Sequence, residues 1–466
     1  MLAGYWHLLP EALVVLGAFL ALFGEFLPGR DKGAAYVAAA LAGVAALLVA
    51  FGGLGEPLFL GQIDPDGIAR FARTAIAGLA AVWALWIAGR GMPGERRRDA
   101  VALAMFASAG GMVLSMAEDL IVMYIALELS TIPAYVLMAY RRRDVSGLEG
   151  ALKYFLLSML TSIVMVYGLS FLYGISGSTA FDEISLQGAG TLGLVAVVLT
   201  LVGLLAKMSA APFHFWAPDA YAGAPSASVA FVSTVPKIAG IAVMTRLISE
   251  IAPEMPELVT VFALSAAASM VLGNLAALPQ EDVRRLMAYS GVAHTGYLLM
   301  AFAPGSELGY EAAVFYAVAY AVPSMAVMLL AAEEGTAVTD LGGLATRRPW
   351  LAWSAVVWLV SLIGIPPLAG FFGKLYLFGA AAADALWLLV VLAVITSVVS
   401  AGYYFRIVRE MFFGQDRSVE AVPGRGAEVV AEPRASVAAL ALLAFATVAI
   451  GVGASPLLGS LGAILR

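Results

Sequence analysis

The feature that most constrains this chain is the recurrence of apolar runs of membrane-crossing length. A spanning helix needs roughly 20 consecutive apolar residues. Windows of that size fall at 8–27, 34–54, 68–89, 100–116, 119–140, 149–174, 190–222, 226–248, 257–278, 285–303, 310–332, 350–380, 384–412 and 435–464. In a chain of 466 residues that is 62% hydrophobic and 12% charged, they leave little besides connections, so a soluble globular fold is excluded. The expected fold is an all-α integral membrane protein of about 14 transmembrane helices. The N-terminal MLAGYWHLLPEALVV has no basic region and no small-residue cleavage site, so the first run is expected to be a retained span rather than a signal peptide. The absence of cysteine excludes disulfides, iron–sulfur clusters and thiolate metal sites. Redox chemistry within the chain is not expected.

Loop charge supplies an orientation. Connections after odd-numbered spans read GRDKG, GRGMPGERRRD, RRRDVSG, DAYAGAP, PQEDVRR, GGLATRRP and FGQDRSVEAVPGRGAEVVAEPR. Those after even-numbered spans read GEPLFLGQIDPDG, AED, SGSTAFDEISLQGAG, SEIAPEMPE, APGSELGYE and AAADA, with no Lys or Arg, although Arg246 lies close by. The positive-inside rule puts the odd loops in the cytoplasm and both termini outside. A false or missed span would have scrambled this asymmetry.

The basic residues are sorted by type. Of 26, only five are lysine; Lys32 lies in a loop, whereas Lys153, Lys207, Lys237 and Lys374 lie inside apolar runs, and nearly every arginine is in a loop or at a span end. A charge at membrane depth costs at least about 2.5–3.5 kcal/mol on insertion scales. Burial can move a lysine pKa by several units, while a guanidinium stays protonated. A site that must release a proton can therefore use lysine and not arginine. The structural alternative is that such lysines pair with carboxylates as glue between helices, a reading weakened by four lysines with no arginine at mid-depth.

Other titratable groups share that depth. Glu128, in MYIALELSTIPAYVL, is about nine residues from the outer end of its span, or about 14 Å at 1.5 Å per residue. Lys207 and Lys237 also come out near the middle, and His294, in MAYSGVAHTGYLLM, is about ten residues from the cytoplasmic end of its span. Alone, His294 would read as a packing residue; at this depth it becomes a candidate proton relay. Glu149 and Lys153, four apart on one helix face near the cytoplasmic end of their span, are either part of a proton path or a boundary ion pair. His7 carries no assignment, and Glu11 and Glu25 are expected at the interface.

Two of the runs, 190–222 and 350–380, exceed one straight span and contain prolines, in LLAKMSAAPFHFWAP and SLIGIPPLAGFFGKLYLF. Proline inside a helix removes a hydrogen bond and clashes with the preceding turn, so each span should be interrupted near the membrane centre. Freed backbone groups are tolerated there only when buried in protein or lining a polar cavity. Interrupted helices in matching places of two halves point to a transport site in an inverted repeat; ordinary packing kinks are the alternative. The breaks fall in the seventh and twelfth segments, an odd number apart, so two five-helix repeats should have opposite orientation. The expected organisation is peripheral helices 1–3 over 1–98, a first repeat of helices 4–8 over 99–250 and a second of helices 9–13 over 251–413. A cytoplasmic loop over 414–433 and helix 14 over 434–466 follow. Lys207 precedes its break and Lys374 follows its own. His214, just past the first break, serves either proton access or packing.

The stretches LELSTIPAYVL, EGALKYFLLSMLTS, AKMSAAPFHFWAPDAYAGAPS, VPKIAG, GNLAALPQEDVRRLMAYSGVAHTGYLLM and GIPPLAGFFGKLYLF resemble, in order and over roughly residues 5–412, the antiporter-like subunits of respiratory complex I, NADH:quinone oxidoreductase. The resemblance implies a proton-translocating part of the membrane arm of that enzyme with no cofactor of its own, driven by quinone reduction elsewhere; NADH, FMN, iron–sulfur clusters and quinone belong to partner subunits. It implies membrane-arm neighbours, especially an M-type antiporter-like subunit and a small K-type subunit, together with lipids and no nucleic acid, in a bacterial inner (plasma) membrane. It gives Glu128 and Lys207 the role of interacting carboxylate and lysine of the first half, Lys237 that of link between halves, His294 a place on the central polar axis and Lys374 that of terminal lysine. Glu149 and Lys153 belong to the cytoplasmic side of the path. Lys374 stands where M-type relatives have glutamate, and the chain ends soon after span 14 where L-type relatives extend into a lateral helix. Two departures are Gly291, where a second serine is common and whose presence should loosen a polar contact beside His294, and Pro236, expected to bend span 8 at Lys237.

The resulting expectation is proton uptake from the cytoplasm through the first half, passage along Lys207, Lys237 and His294, and release past Lys374. Glu128 would act as the switch on Lys207, a nearby carboxylate favouring the charged lysine and its withdrawal favouring release. A subunit of a multisubunit cation/proton antiporter or of a membrane-bound hydrogenase, and a scaffold subunit whose charges only hold helices together, are the alternatives.

Overall fold

The computed structural model describes residues 2–24, 30–91, 97–140, 145–416 and 433–462. Among them all regular structure is helical apart from isolated bridges. In chain order the helices are α1 Leu9–Leu22, α2 Arg30–Phe51, α3 Gly67–Arg90, α4 Arg97–Leu114, α5 Leu120–Met138, α6 Val145–Ser176 and α7 Gly190–Lys207. They continue with α8 Trp216–Gly223, α9 Ser226–Val232, α10 Val235–Ile251, α11 Leu258–Ala277, α12 Val283–Met300 and α13 Glu307–Glu334. The last are α14 Leu344–Arg347, α15 Pro349–Ile363, α16 Ala369–Ala383, α17 Trp387–Phe413, α18 Arg434–Val452 and α19 Ala454–Gly462. Eleven helical segments are long and apolar enough to cross a membrane, which makes this a multi-pass membrane protein. The loop expected over 414–433 lies largely outside the described residues, as do Glu25 and parts of two arginine-rich loops.

Burial sorts the helices into a centre and a rim. The α9–α10 segment and α13 are covered by protein over an 18-residue stretch of each, whereas the corresponding stretches of the remaining candidate spans are between 33% and 61% buried. The central pair pack against each other, and α13 also meets α3, α12, α15, α16 and α18. Close backbone approach depends on glycine: a Cβ at Gly273 of α11 would lie 2.4 Å from the Ala293 nitrogen of α12, and one at Gly296 would lie 2.7 Å from the Met270 nitrogen. Small residues permit such contacts where lipid gives helices no hydrophobic reason to associate.

Both long runs are interrupted at their prolines. Residues 208–215 separate α7 from α8, and residues 364–368 separate α15 from α16. The freed polar groups are held by side chains: Ser265 donates to the Ala211 carbonyl at 2.6 Å, Ser269 accepts from the Ala211 N–H at 2.8 Å, and the Trp216 indole donates to the Ala206 carbonyl at 2.9 Å. Span 8 differs from expectation. It breaks at Ser233–Thr234, and Pro236 sits in the first turn of α10, where the missing N–H costs nothing.

One local device occurs twice. Asp119 caps α5 by accepting from the N–H groups of Ile121 and Val122, and Asp282 caps α12 by accepting from Arg284 and Arg285. Each aspartate bridges to an alanine just beyond the following long helix, Asp119 to Ala180 and Asp282 to Ala337, and a 3-10 turn comes next.

Two buried ion-pair sites add to the sequence reading of the arginines. Arg73, 3% exposed in α3, bonds both carboxylate oxygens of Glu11 at 2.7 and 2.8 Å, so Glu11 is buried in protein. Arg246, 4% exposed, pairs with Asp66 and Glu118 and donates to the Ser115 carbonyl at 2.9 Å, pinning two loops to α10. Beside it, burial and the Asp66 charge raise the Asp64 carboxyl above the usual carboxylate range, against the pull of Arg246. Hydropathy windows place an arginine near a span end but do not show that a carboxylate from elsewhere meets it.

Candidate functional site

Lys207 is the last residue of α7, so its backbone lies where the helix dipole is negative. Its ammonium, with the side chain 3% exposed, lies 3.5 Å from Glu128 Oε1 of α5 and donates to the Tyr135 hydroxyl at 2.5 Å. Glu128 is not left to Lys207 alone. Ser162 of α6 donates to Oε1 at 2.6 Å, and Thr131 lies at 3.4 Å from Oε2. The sequence pair Glu128 and Lys207 is therefore brought together, with Tyr135 and Ser162 added by packing.

Lys237 lies in the first turn of α10 and is 3% exposed. Its ammonium donates to the Gly291 carbonyl at 3.1 Å and to the Thr295 hydroxyl at 3.2 Å, and lies 5.2 Å from the Tyr320 ring centre. A Cβ on Gly291 would lie 3.1 Å from that ammonium and 3.0 Å from the Tyr320 hydroxyl. The glycine thus makes room for the Lys237 contact. Thr295 also donates to the Met208 carbonyl at 2.8 Å, which ties Lys237 to the break beside Lys207.

His294, 1% exposed, is one residue from Thr295 on α12. Its Nδ1 lies 2.6 Å from the Tyr316 hydroxyl and its Nε2 3.3 Å from the Tyr404 hydroxyl, which in turn is 2.5 Å from Ser290. The histidine ring stands edge-on to Tyr297, with centres 5.6 Å apart, and Lys374 Nζ lies 4.9 Å from the Tyr297 ring centre. Lys374 donates to the Leu362 and Ile363 carbonyls at 3.1 and 2.8 Å and to Ser397 at 2.7 Å. It reaches back to the C-terminal end of α15, so both break lysines serve the end of the half-helix that precedes their break.

The remaining candidates lie apart from this axis. Lys153 is not buried: its side chain is 45% exposed and pairs with Glu149 at 2.9 Å and Asp219 at 3.0 Å. Three lysines rather than four are buried, because Lys153 faces outward on α6. His214 is buried against Phe215, with ring centres 4.6 Å apart, and its Nδ1 has no hydrogen-bond partner among the described residues. The residues that sequence reasoning missed are Tyr135, Thr295, Tyr316, Tyr404 and Ser397. Their signal was available in part, since buried tyrosine requires a partner for its hydroxyl. No cluster of three or more His, Asp or Glu side chains arranged to hold a metal ion occurs among the described residues.

Three buried ammonium groups strung between interrupted helices define a membrane chain of the ion- or proton-translocating kind. The chain belongs to the family described as NADH:quinone oxidoreductase/Mrp antiporter, transmembrane region, whose model matches residues 117–400. It is 37% identical over 469 aligned residues to NADH-quinone oxidoreductase subunit N of Rhodospirillum rubrum, covering 96% of each chain. This agrees with Lys374, which argued against the M type. Among solved structures it resembles a chain of respiratory complex I from Thermus thermophilus, at 32% identity and a TM-score of 0.81 over 97% of this chain and 99% of that one. A chain of the Mrp complex from Dietzia sp. shares the fold, at 22% identity and a TM-score of 0.85 over 99% of this chain and 96% of that one.

Proposed function

We propose that this chain is an antiporter-like, proton-translocating subunit of the membrane arm of NADH:quinone oxidoreductase, carrying protons along Lys207, Lys237, His294 and Lys374. The observation that carries the reading is the near-continuous buried polar line from Glu128 to Lys374, in which Thr295 joins the first break to Lys237 and tyrosines flank His294. Glu128 stabilises the charged form of Lys207. When that carboxylate is drawn away or neutralised, desolvation favours proton release toward Met208, Thr295 and Lys237. Glu149 and Lys153 act at the cytoplasmic surface with Asp219, and His214, buried beside Phe215, serves proton access beside the break.

Fourteen crossings follow if α4, α12 and the α15–α16 pair are counted with the eleven apolar segments. Two inverted repeats, helices 4–8 and 9–13, draw support from the repeated aspartate cap at α5 and α12, five crossings apart. Both termini then lie outside a bacterial plasma membrane. M-type and K-type subunits are the expected neighbours, and NADH, FMN, iron–sulfur clusters and quinone reside in other chains. The test is Lys207→Arg in the fully assembled complex reconstituted in vesicles, which keeps the charge and blocks release. Quinone reduction under uncoupled conditions should persist while proton uptake per quinone falls; normal pumping would refute the lysine switch. Sodium-dependent transport without quinone activity would favour the cation/proton antiporter reading, and loss of assembly without a separate pumping defect in Lys374→Ala would favour a scaffold.

A further inference from the structure

A large crevice lies away from the polar axis. It has a volume of about 530 Å³ between α3, α13, α18 and α19, lined by Thr74, Gly78, Val82, Val322, Leu443 and Ala446 among others, with Arg70 at one end. Its walls are apolar in effect, because the Thr74 hydroxyl is turned to the Arg70 carbonyl at 2.7 Å. A Cβ added to Gly78 would meet nothing within 4 Å, so the space reaches the α3 backbone.

In a chain that spans a bilayer, an apolar crevice attracts neither water nor a polar side chain, and acyl chains are the available filling. Its depth suits one lipid leaflet. From Arg70 to Val82 on α3 is about 18 Å at 1.5 Å per residue, against about 15 Å for half of the hydrocarbon core. The charged end suits a phosphate. Arg70 makes no side-chain ion pair or hydrogen bond among the described residues, whereas its neighbour Arg73 is committed to Glu11. Arg70 also borders a second cavity of about 250 Å³, lined with Trp6, His7 and Arg73, which leaves room for a head group. Trp6 is 70% exposed, as an interfacial aromatic would be.

We propose that this crevice binds one phospholipid of the leaflet on the Gly67 side, with its phosphate on Arg70 and an acyl chain lying between α3, α13 and α18. The lipid wedges the peripheral α1–α3 group against the central α13 and completes packing that the protein leaves open. This requires only that the chain spans a membrane and is independent of the proton path.

The test uses the intact assembled complex and a phosphatidylglycerol carrying a photoactivatable diazirine on its acyl chain. After delipidation in detergent and brief exposure to the probe, illumination should label peptides within 67–82 and 442–450, while the outward face of α17 at Val391, Val394 and Val398 loses its label on washing. Gly78→Phe fills the crevice and should abolish the crevice label with assembly unchanged. Arg70→Gln should reduce it about fivefold, the effect of one interfacial cation. No crevice label in the wild-type complex, equal labelling in Gly78→Phe, or cross-links from the crevice to a neighbouring subunit would each overturn the proposal. An unchanged label in Arg70→Gln would overturn the phosphate contact.

Discussion

The two break lysines are built for the same depth by different means. Lys207 faces a carboxylate, Glu128, and shares it with Ser162, whereas Lys374 faces two carbonyls and a serine, with no carboxylate partner among the described residues. Their backbones differ as well. The turn after Lys207 places Ser209 at φ +60°, a conformation L side chains seldom adopt, while the turn before Lys374 uses Gly364 at φ +92°. The difference teaches that the surroundings of Lys207 depend on one side-chain charge, whereas those of Lys374 rest on carbonyl dipoles fixed in a helix end.

The largest expected effect comes from breaking the charged partner. Glu128→Gln leaves a buried ammonium without its carboxylate, a change of about 3–5 kcal/mol in such pairs. Proton pumping per quinone reduced, measured in vesicles with the assembled complex, should fall to a small residue. Tyr135→Phe removes a hydrogen bond to a charged group, worth about 1.5–3 kcal/mol, and should lower pumping by about tenfold or more while leaving uncoupled quinone reduction in place.

Between the halves, Gly291→Ala forces a methyl group against Lys237 and Tyr320. Overpacking of this kind costs about 1–3 kcal/mol, to be read as a lower thermal midpoint of the complex together with slower pumping; an unaltered pumping rate would detach Lys237 from the path. Ser397→Ala should have the smallest effect, about 1 kcal/mol for a neutral contact that two carbonyls back up, and a modest change in pumping. If Ser397→Ala proved as damaging as Glu128→Gln, the distinction between a side-chain charge and fixed carbonyl dipoles would be wrong.

Much of the site was legible because its rarest residues are informative. Lysine in an apolar run stands out, and prolines beside Lys207 and Lys374 mark breaks that the structure contains. Glu128 and Lys207 were paired correctly at a separation of 79 positions through the family resemblance rather than through spacing. Less legible were the tyrosines, since buried aromatic residues are common and nothing local distinguishes Tyr316 and Tyr404 from other packing groups. Lys153 was misread because hydropathy averages over both faces of a helix, and α6 turns that face outward. The break at Thr234 was missed because Pro236, two residues on, drew attention to the wrong position.

By itself the sequence determined that this chain lives in a membrane, roughly where most of its helices run, and that lysines stand beside the two proline breaks. These follow from local physics: the transfer cost of each side chain, the length of a bilayer crossing and the backbone limits of proline. Only the tertiary structure decided which lysine meets a carboxylate, which hydroxyls join Lys237 to the first break, that Arg73 and Arg246 are buried with partners, and that α9–α10 and α13 form the centre. Those outcomes depend on how nearly interchangeable faces of alanine, glycine, leucine and valine pack. Such faces attract one another without direction, and shape complementarity across many small contacts chooses the neighbours.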